Sequence, residues 1–147
     1  MSDTHGMLRP EAVEALRGSD HIIHAGDVGA AVILDELRRI APITAIRGNI
    51  DKALWAQNLP ETEAVELAGV LIYILHDLAK LDLKPEAAGF KVVISGHSHV
   101  PKQQIRGNVL YFNPGSAGPS RFKLPVTVGR LTVEDERARP EIIAIAG

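Results

Sequence analysis

The sequence has no cysteine among its 147 residues. This absence excludes a disulfide framework, a thiolate metal site and a cysteine nucleophile, so any bound metal ion must take oxygen and nitrogen ligands. The chain also lacks an apolar run of the roughly 18 residues that a membrane helix needs. Its first six residues, MSDTHG, have neither the basic start nor the apolar run of a signal peptide. We therefore expect a soluble, cytoplasmic protein with no membrane partner.

A strong surplus of one charge is absent as well, since the formal net charge is -2. Such a balance gives no indication of a nucleic-acid partner. It does not exclude a nucleotide substrate, because a bound metal ion supplies its own local positive charge. Hydrophobic residues make up 46% of the chain and charged residues 23%, which is typical of a globular protein. We expect a single domain over residues 1–147.

The hydrophobic pattern alternates strand and helix in the first half of the chain and gives mostly strands in the second half. This order predicts an α/β protein with two mixed sheets packed face to face and helices outside. The predicted helices are 10–16 and 30–40, with one helical turn at 85–88. The predicted strands are 21–25, 42–46, 64–67, 70–75, 91–94, 103–106, 109–113, 126–133 and 141–146.

Four of the predicted strands lead to a potential metal ligand within one to three residues of the strand end. The ligands after these strands are Asp27, Asn49, His76, and His97 with His99. In open α/β sheets the ligand crevice lies beyond the carboxyl ends of the strands, so these side chains are expected to converge. A glycine precedes Asp27, Asn49 and His97, and it allows a sharp turn out of each strand.

Asp3 and His5 add a carboxylate and an imidazole near the start of the chain. Their i, i+2 spacing places both side chains on one face of an extended segment, and His97 and His99 repeat that spacing. The full set holds two Asp, one Asn and four His, and it suits Mn, Fe, Zn, Ni or Co. Seven ligands are too many for one tetrahedral site. They fit two divalent ions that share one carboxylate, for which Asp27 is the natural bridge.

The sequence resembles the calcineurin-like metallophosphoesterases in the order of its motifs, which are Asp3-Thr4-His5, Gly26-Asp27, Gly48-Asn49-x-Asp51, His76 and Gly96-His97-Ser98-His99. The short chain and the segment Asn113-Pro114-Gly115-Ser116 resemble the small bacterial and archaeal phosphodiesterases of that superfamily. The resemblance implies a four-layer α/β/β/α sandwich. It also implies two ligand sets: Asp3, His5, Asp27 and His99 for one ion, and Asp27, Asn49, His76 and His97 for the other.

The resemblance further implies in-line attack on phosphorus by a hydroxide that bridges two divalent ions, with Mn expected. The substrate is expected to be a small phosphoester, with a nucleotide-like diester among the candidates. Arg47 either holds a phosphate oxygen or forms a surface ion pair. Asp51 is expected to orient a ligand or the nucleophile. Phosphomonoester hydrolysis, a non-catalytic scaffold of the same fold and an oligomer of identical chains stay open.

The chain departs from its relatives at three places. Many members have His where this chain has Ile50, which has no proton to give to a leaving group. Asp77 stands where Gly is common, and it either crowds the ions or faces away. Relatives carry an apolar strand before the motif that matches Asp3 and His5, and here that strand is nearly absent. The simplest explanation is a start codon placed too late; otherwise we expect Asp3 and His5 on a frayed terminus.

The roles of several residues outside the predicted ligand set are also expected from the sequence. His24 either supports Asp27 or is a structural core histidine. Leu54 and Trp55 either pack in the core or cap the substrate cleft, and packing in the core is the favoured expectation. The segment from Asn113 to Ser116 is expected to be a turn that lines the pocket, and the charged run 134–139 is expected to be a hairpin loop.

Overall fold

The computed structural model describes residues 1–121 and 123–146, which form two short α-helices, two 3₁₀ helices and nine strands. The helices are α1 (Pro10–Leu16) and α2 (Ala31–Arg38), with 3₁₀ helices at Leu54–Asn58 and Leu78–Lys80. The strands are β1 (Ile22–His24), β2 (Ile43–Ala45), β3 (Thr62–Leu67), β4 (Val70–Leu75), β5 (Val92–Ile94), β6 (Lys102–Arg106), β7 (Val109–Asn113), β8 (Val126–Glu134) and β9 (Arg137–Ala146). None of the described helices is long and apolar enough to cross a membrane.

A five-stranded mixed sheet in the order β3-β4-β5-β7-β6 forms the centre of the fold. The inner strands β4, β5 and β7 are parallel, and the hairpin partners β3 and β6 lie antiparallel at the edges. β4 and β5 read as continuous apolar runs because both of their faces are covered. Since the inner strands are parallel, the residues that follow them emerge at one edge of the sheet.

The remaining strands form two separate pairs in the described residues, β1-β2 parallel and β8-β9 antiparallel. The predicted α/β class and a mixed sheet are therefore confirmed, while the second predicted sheet is divided. A cavity of about 570 Å³ lies between β1 and β8, lined by residues such as Met1, Ile23 and Leu131. Both strands have a paired neighbour on one side only, so their facing edges border this cavity.

Three apolar clusters define the layers of the molecule. The first joins α1 and α2 to the strand pairs, and its fully or nearly fully buried members include Leu37, Val28 and Val128. The second fills the space between the strand pairs and the five-stranded sheet, around Ile46, Ile72, Ile74 and Phe112. The third covers the outer face of that sheet around Tyr73, Phe90 and Val93. Its cover is the segment that contains the 3₁₀ helix Leu78–Lys80 rather than an α-helix.

One local prediction is wrong and a second is only partly confirmed. Leu54 is 81% exposed on its 3₁₀ helix, while the neighbouring Trp55 packs against the helical cluster as expected. The charged run does contain the expected hairpin, but its loop is only Asp135 and Glu136, because β8 extends to Glu134 and β9 begins at Arg137. Both turn residues have positive φ, 53° and 61°, which closes a two-residue hairpin that matches the twist of its strands.

The expectation of a frayed N-terminal segment is also wrong. Ser2, Asp3 and Thr4 are fully buried beside the end of β1. The Met1 α-amino group donates to the Ile23 carbonyl at 2.8 Å, and the Asp3 N–H donates to the Gly26 carbonyl at 3.0 Å. Burial lowers the pKa of the α-amino group to about 5. Asp3 therefore lies on an ordered segment with its backbone hydrogen bonds made.

Candidate metal centre

Polar side chains from five chain segments meet at the carboxyl ends of the strands. Asp27 follows β1, Asn49 follows β2, His76 follows β4, and His97 and His99 follow β5. The segment beside β1 supplies the remaining two predicted ligands, Asp3 and His5. Asp3, Asp27, His76 and His99 are buried, His5 is half-buried, and Asn49 and His97 are exposed at the rim. The structure thus brings the predicted set to one edge of the fold.

The two oxygens of the Asp3 carboxylate have different surroundings. Oδ2 accepts the Ser2 hydroxyl at 2.6 Å and the backbone N–H of His97 at 3.1 Å. Oδ1 accepts no hydrogen bond from the described residues. It lies 3.4 to 3.7 Å from the Nε2 atoms of His99, His5 and His76. One oxygen therefore anchors the carboxylate, and the other is aimed at three imidazoles.

Asp27 shows the same division. Its Oδ1 accepts the backbone N–H of Ile50 at 3.0 Å. Its Oδ2 lies 3.5 Å from His5 Nε2 and 3.2 Å from His76 Nε2. Burial alone raises the pKa of Asp27, but the His76 imidazole and the Ile50 N–H outweigh it and the pKa is lowered. Asp27 is therefore an ionised carboxylate that faces ligands of both predicted ions.

The ring of His76 is held so that one nitrogen is available as a ligand. Its Nδ1 is 2.7 Å from the Ala25 carbonyl, and only a donating N–H fits that contact. Nε2 then carries the lone pair and points at the Asp3 and Asp27 carboxylates. Burial opposes the protonation of His76, yet Asp27 and the Ala25 carbonyl outweigh burial, so its pKa is raised. A proton and a cation therefore compete for the same nitrogen.

Four buried polar atoms of this centre have no hydrogen-bond partner among the described residues. They are Asp3 Oδ1, His5 Nε2, His76 Nε2 and His99 Nδ1. Buried polar atoms are nearly always satisfied in folded proteins, so such a cluster needs an explanation. Two groups have ligand atoms that all lie within 4.8 Å of one another: Asp3, His5 and His99, and Asp3, Asp27 and His76. This donor set fits divalent cations, which would satisfy the orphaned atoms.

The rim of the centre is formed by His97, Asn49 and Asp77. His97 Nδ1 lies 3.2 Å from Asn49 Oδ1, and the His97 ring packs edge-on against the His76 ring at 5.2 Å. Asp77 accepts the Ala79 N–H at 3.1 Å with Oδ1, and its Oδ2 lies 3.9 Å from His97 Nε2. Asp77 therefore lies at the His97 end of the rim and belongs to neither compact ligand group.

Five of the seven predicted ligands have left-handed backbone conformations. Their φ angles are 57° at Asp3, 48° at His5, 56° at Asp27, 70° at His97 and 63° at His99. Such a conformation costs a non-glycine residue about 1 kcal/mol or more and is concentrated at functional sites. The expectation of extended segments with i, i+2 faces is therefore wrong. These five side chains converge because the backbone leaves the extended region at each of them.

Two glycines allow the loops to approach the carboxylates. A Cβ atom at Gly48 would collide with the Asp27 carboxylate. A Cβ atom at Gly96 would collide with the Ser2 hydroxyl and with Asp3 Oδ2. Both collisions involve groups that are held in place by other hydrogen bonds. The glycines predicted to permit sharp turns thus also permit close contact between loops.

Asp51 ties two of the ligand loops together through their backbones. Its buried carboxylate accepts the N–H groups of Val28 at 3.1 Å, Gly29 at 3.0 Å and Gly48 at 2.9 Å. These groups lie directly beside Asp27 and Asn49 in the chain. Asp51 therefore holds the loops that carry Asp27 and Asn49 through their main chain, and among the described residues it makes no hydrogen bond to the side chain of a predicted ligand.

The segment from Asn113 to Ser116 supports two further loops, a role that sequence reasoning missed. The Asn113 amide donates to the Gly96 carbonyl at 3.0 Å and to Ser98 Oγ at 3.1 Å. The Ser116 hydroxyl donates to the Asp3 carbonyl at 3.0 Å. The available signal was a polar residue at the end of an apolar strand, the same signal that marked the ligands.

His24 links the N-terminal segment to the end of β1. Its Nδ1 accepts the Gly26 N–H at 3.2 Å, so Nε2–H donates to Thr4 Oγ at 3.0 Å. The Thr4 hydroxyl in turn donates to the Val28 carbonyl at 2.8 Å. Burial lowers the pKa of His24 well below its usual value. These contacts fit the structural reading of His24.

Arg47 lies on the surface and pairs with Glu61, with Nη2 and Oε1 3.2 Å apart. The arginine side chain is 32% exposed and the glutamate 79%. This contact fits the ion-pair reading of Arg47, while its role toward phosphate stays a prediction.

The fold and the centre together define a class: a mixed α/β protein with a carboxylate–imidazole cluster at the strand ends that is suited to divalent metal ions. The chain belongs to the calcineurin-like phosphoesterase superfamily, whose domain model matches residues 1–136.

The chain is similar to two phosphoesterases in sequence and to a third protein in fold. A probable metallophosphoesterase from Methanocaldococcus jannaschii is 36% identical over 149 aligned positions, which cover 92% of this chain and 75% of the relative. A solved structure of an archaeal phosphodiesterase is 26% identical, with a TM-score of 0.79 and 97% of each chain covered. Zinc-bound Vps29 from Entamoeba histolytica shares the fold at 19% identity, with a TM-score of 0.75, covering 98% of this chain and 96% of that one.

Proposed function

We propose that this protein is a divalent-metal-dependent phosphodiesterase with a dinuclear centre, and that manganese is its metal. The observation that carries the proposal is the division of labour within the two carboxylates. Asp3 and Asp27 each have one oxygen fixed by backbone or hydroxyl donors and the other oxygen facing imidazole nitrogens. Such preorganisation is expected of ligands and is costly for a site that binds nothing.

The residues would divide between the two ions as the family pattern implies. Asp3, His5 and His99 would hold one ion, Asn49, His76 and His97 would hold the other, and Asp27 would face both. When bound, such a pair of ions supplies a nucleophilic hydroxide at neutral pH and neutralises charge on the phosphoryl oxygens. The exposed rim at Asn49 and His97 leaves that side open to a substrate.

Arg47 is proposed to bind a phosphate oxygen when substrate is present. Its bond with the largely exposed Glu61 is a surface pair, which typically contributes at most about 1 kcal/mol. An anionic phosphoryl group that reaches Arg47 would replace this weak surface contact. The planar guanidinium then offers two parallel donors to the phosphate.

Ile50 limits which leaving groups react fast. Its side chain is 40% exposed beside Asn49, where it offers no proton to a departing oxygen. General acid help is worth about 10²–10⁴-fold. Esters of acidic alcohols, such as aryl diesters, are therefore proposed to be the better test substrates.

The proposal is tested by hydrolysis of bis(p-nitrophenyl) phosphate with chelator-stripped protein, before and after Mn²⁺ is added. We expect turnover only with the metal and only weak turnover of p-nitrophenyl phosphate. The reverse preference would establish a phosphomonoesterase. Stripped protein that is as active as reconstituted protein would overturn the metal requirement.

A non-catalytic binding role is the second candidate, favoured by the shared fold with Vps29 and by the absence of an acid at Ile50. Metal binding without turnover of any diester would support it. The filled ligand set favours the enzyme, because every predicted position carries a residue that is able to coordinate a metal.

A further inference from the structure

A second cleft, of about 340 Å³, opens next to the candidate metal centre on the outer face of the five-stranded sheet. Its mouth is formed by His97 and Asp77, the same residues that form the rim of the centre. From there it runs over Tyr111 on β7 to the edge strand β6. We call this cleft the Tyr111 cleft. A substrate bound at the centre from the His97 side could extend into it.

The far wall of the Tyr111 cleft is positively charged. Side chains alternate along a strand, so Lys102, Gln104 and Arg106 of β6 share one face, and all three line the cleft. Neither Lys102 nor Arg106 has a carboxylate within ion-pair distance among residues 1–121 and 123–146. The two cations are therefore available to an anionic ligand at this wall, while Asp77 is the acidic residue at the mouth.

The floor of the cleft offers a surface for a planar group. The Arg106 guanidinium carbon lies 4.8 Å from the centre of the half-buried Tyr111 ring. Arg106 also donates from Nη2 to Gln104 Oε1 at 3.2 Å, so its head group is held on two sides. Because the guanidinium lies over the Tyr111 ring, the guanidinium group rather than the phenol face beneath it is the surface on which a nucleobase or another aromatic ring can stack.

We propose that the Tyr111 cleft binds one ester arm of the substrate and selects an arm that is aromatic and carries a further negative charge. A nucleoside monophosphate unit has this chemistry, and the cleft lies in the range of about 300–1,000 Å³ that is typical of small-ligand sites. The inference rests on the proposed function, since it assigns the substrate class of the same centre. It predicts that the protein prefers nucleotide diesters with a terminal phosphate to diesters whose ester arms carry no charge.

The first test measures binding without catalysis. AMP is titrated into metal-free protein, and its dissociation constant is compared with that of adenosine. We expect AMP to bind at least about tenfold more tightly than adenosine, and the double variant Lys102→Gln/Arg106→Gln to lose that difference. Lys91→Gln, an exposed lysine just before β5, is the matched control and should bind AMP like wild type.

Equal binding of AMP and adenosine by wild-type protein, or unchanged AMP affinity in the double variant, would overturn the assignment. The replaced side chains are exposed, so folding is expected to be kept, and an equal melting temperature confirms it. Should the double variant unfold, Lys102→Glu alone provides the charge reversal, and it is expected to weaken AMP binding further than Lys102→Gln.

The second test uses the Mn²⁺-loaded protein and two dinucleotides that differ only in a terminal phosphate, pApA and ApA. We expect kcat/KM for pApA to exceed that for ApA about tenfold, and the double variant to bring the two values together. Equal values in wild type would refute the cleft while leaving the phosphodiesterase proposal intact. Failure to hydrolyse any diester would refute the phosphodiesterase proposal, and AMP binding would still decide the role of the cleft.

Discussion

In this centre, the two oxygens of a single carboxylate have different roles. In Asp3 and Asp27, one oxygen is fixed by the protein, which leaves the other oriented at low entropic cost. The sequence identifies Asp27 because it is an acid that follows a predicted buried strand, and it identifies Asp3 through the i, i+2 spacing with His5 and the family resemblance. It does not reveal which donors fix them, since Ser2 and the backbone of Ile50 carry no pattern of their own.

Replacing Asp27 by Asn tests the shared carboxylate. The amide oxygen still accepts the Ile50 N–H, but the charge that faces both His5 and His76 is lost. We expect a fall in diester turnover of roughly 10²–10³-fold and loss of at least one Mn²⁺ per chain, measured by elemental analysis. Asp35→Asn, which breaks only an exposed helix pair, is the control. An Asp27→Asn protein that keeps both ions would refute the bridging role.

Replacing His24 by Gln tests the buried network through the pH dependence of stability. The folded-state pKa of His24 is lowered, so below the unfolded value near 6.5 the unfolded chain binds one more proton than the folded one. Stability from this group is thus present above pH ~6.5 and falls by about 1.4 kcal/mol per pH unit as the pH drops. We measure the free energy of unfolding by denaturant at several pH values between 6.5 and 5. We expect this free energy to fall less steeply with decreasing pH in His24→Gln than in the wild type. Identical slopes would mean that His24 is not buried in its neutral form.

At the scale of elements, the strands and their order follow from the hydrophobic pattern. α1, β4 and β7 begin and end at the predicted residues, most of the other strands differ by one or two residues at an end, and β9 begins four residues earlier than predicted. The pattern does not specify backbone dihedral angles, so it missed the left-handed conformations at His97 and His99. It also missed the buttress formed by Asn113, because a hydrogen bond to a distant loop leaves no local periodicity.

Replacing Asn113 by Ala tests that buttress. The change removes donors to Gly96 and Ser98 and leaves the β5 loop without its support. Supporting groups of this kind affect metal affinity by about 10–100-fold, and an unmade buried hydrogen bond costs about 1–3 kcal/mol. We expect both losses, measured by Mn²⁺ calorimetry and chemical unfolding. Asn108→Ala, in the exposed β6–β7 turn, should change neither, and an equal effect at both positions would contradict the buttress.

Adding an apolar strand of about six residues before Met1 tests the edges of β1 and β8. The cavity between these edges is lined by apolar side chains such as Ile23 and Leu131, and the buried α-amino group beside it would become an ordinary amide. We expect a higher melting temperature and tighter Mn²⁺ binding than in the unextended chain. A polar extension of equal length is the control. If the apolar extension raises neither the melting temperature nor the Mn²⁺ affinity above this control, no added strand binds in the cavity.

At the scale of the whole molecule, the class and the centre were predictable and the layering was only partly so. Strand count and order imply two sheets, but the pairing of β1 with β2 and of β8 with β9 depends on which edges meet in space. The outer cover of the central sheet is a 3₁₀ helix and irregular chain around Phe90, which carries no helical period. Long-range convergence at the strand ends was predictable because parallel strands share a carboxyl edge.

The most direct test of the account is anomalous diffraction at the manganese edge from crystals grown with Mn²⁺. We predict two peaks per chain. One should lie among Asp3, His5, Asp27 and His99, and the other among Asp27, Asn49, His76 and His97. A single peak, no peak, or peaks outside these ligand sets would contradict a dinuclear centre and the phosphodiesterase function built on it.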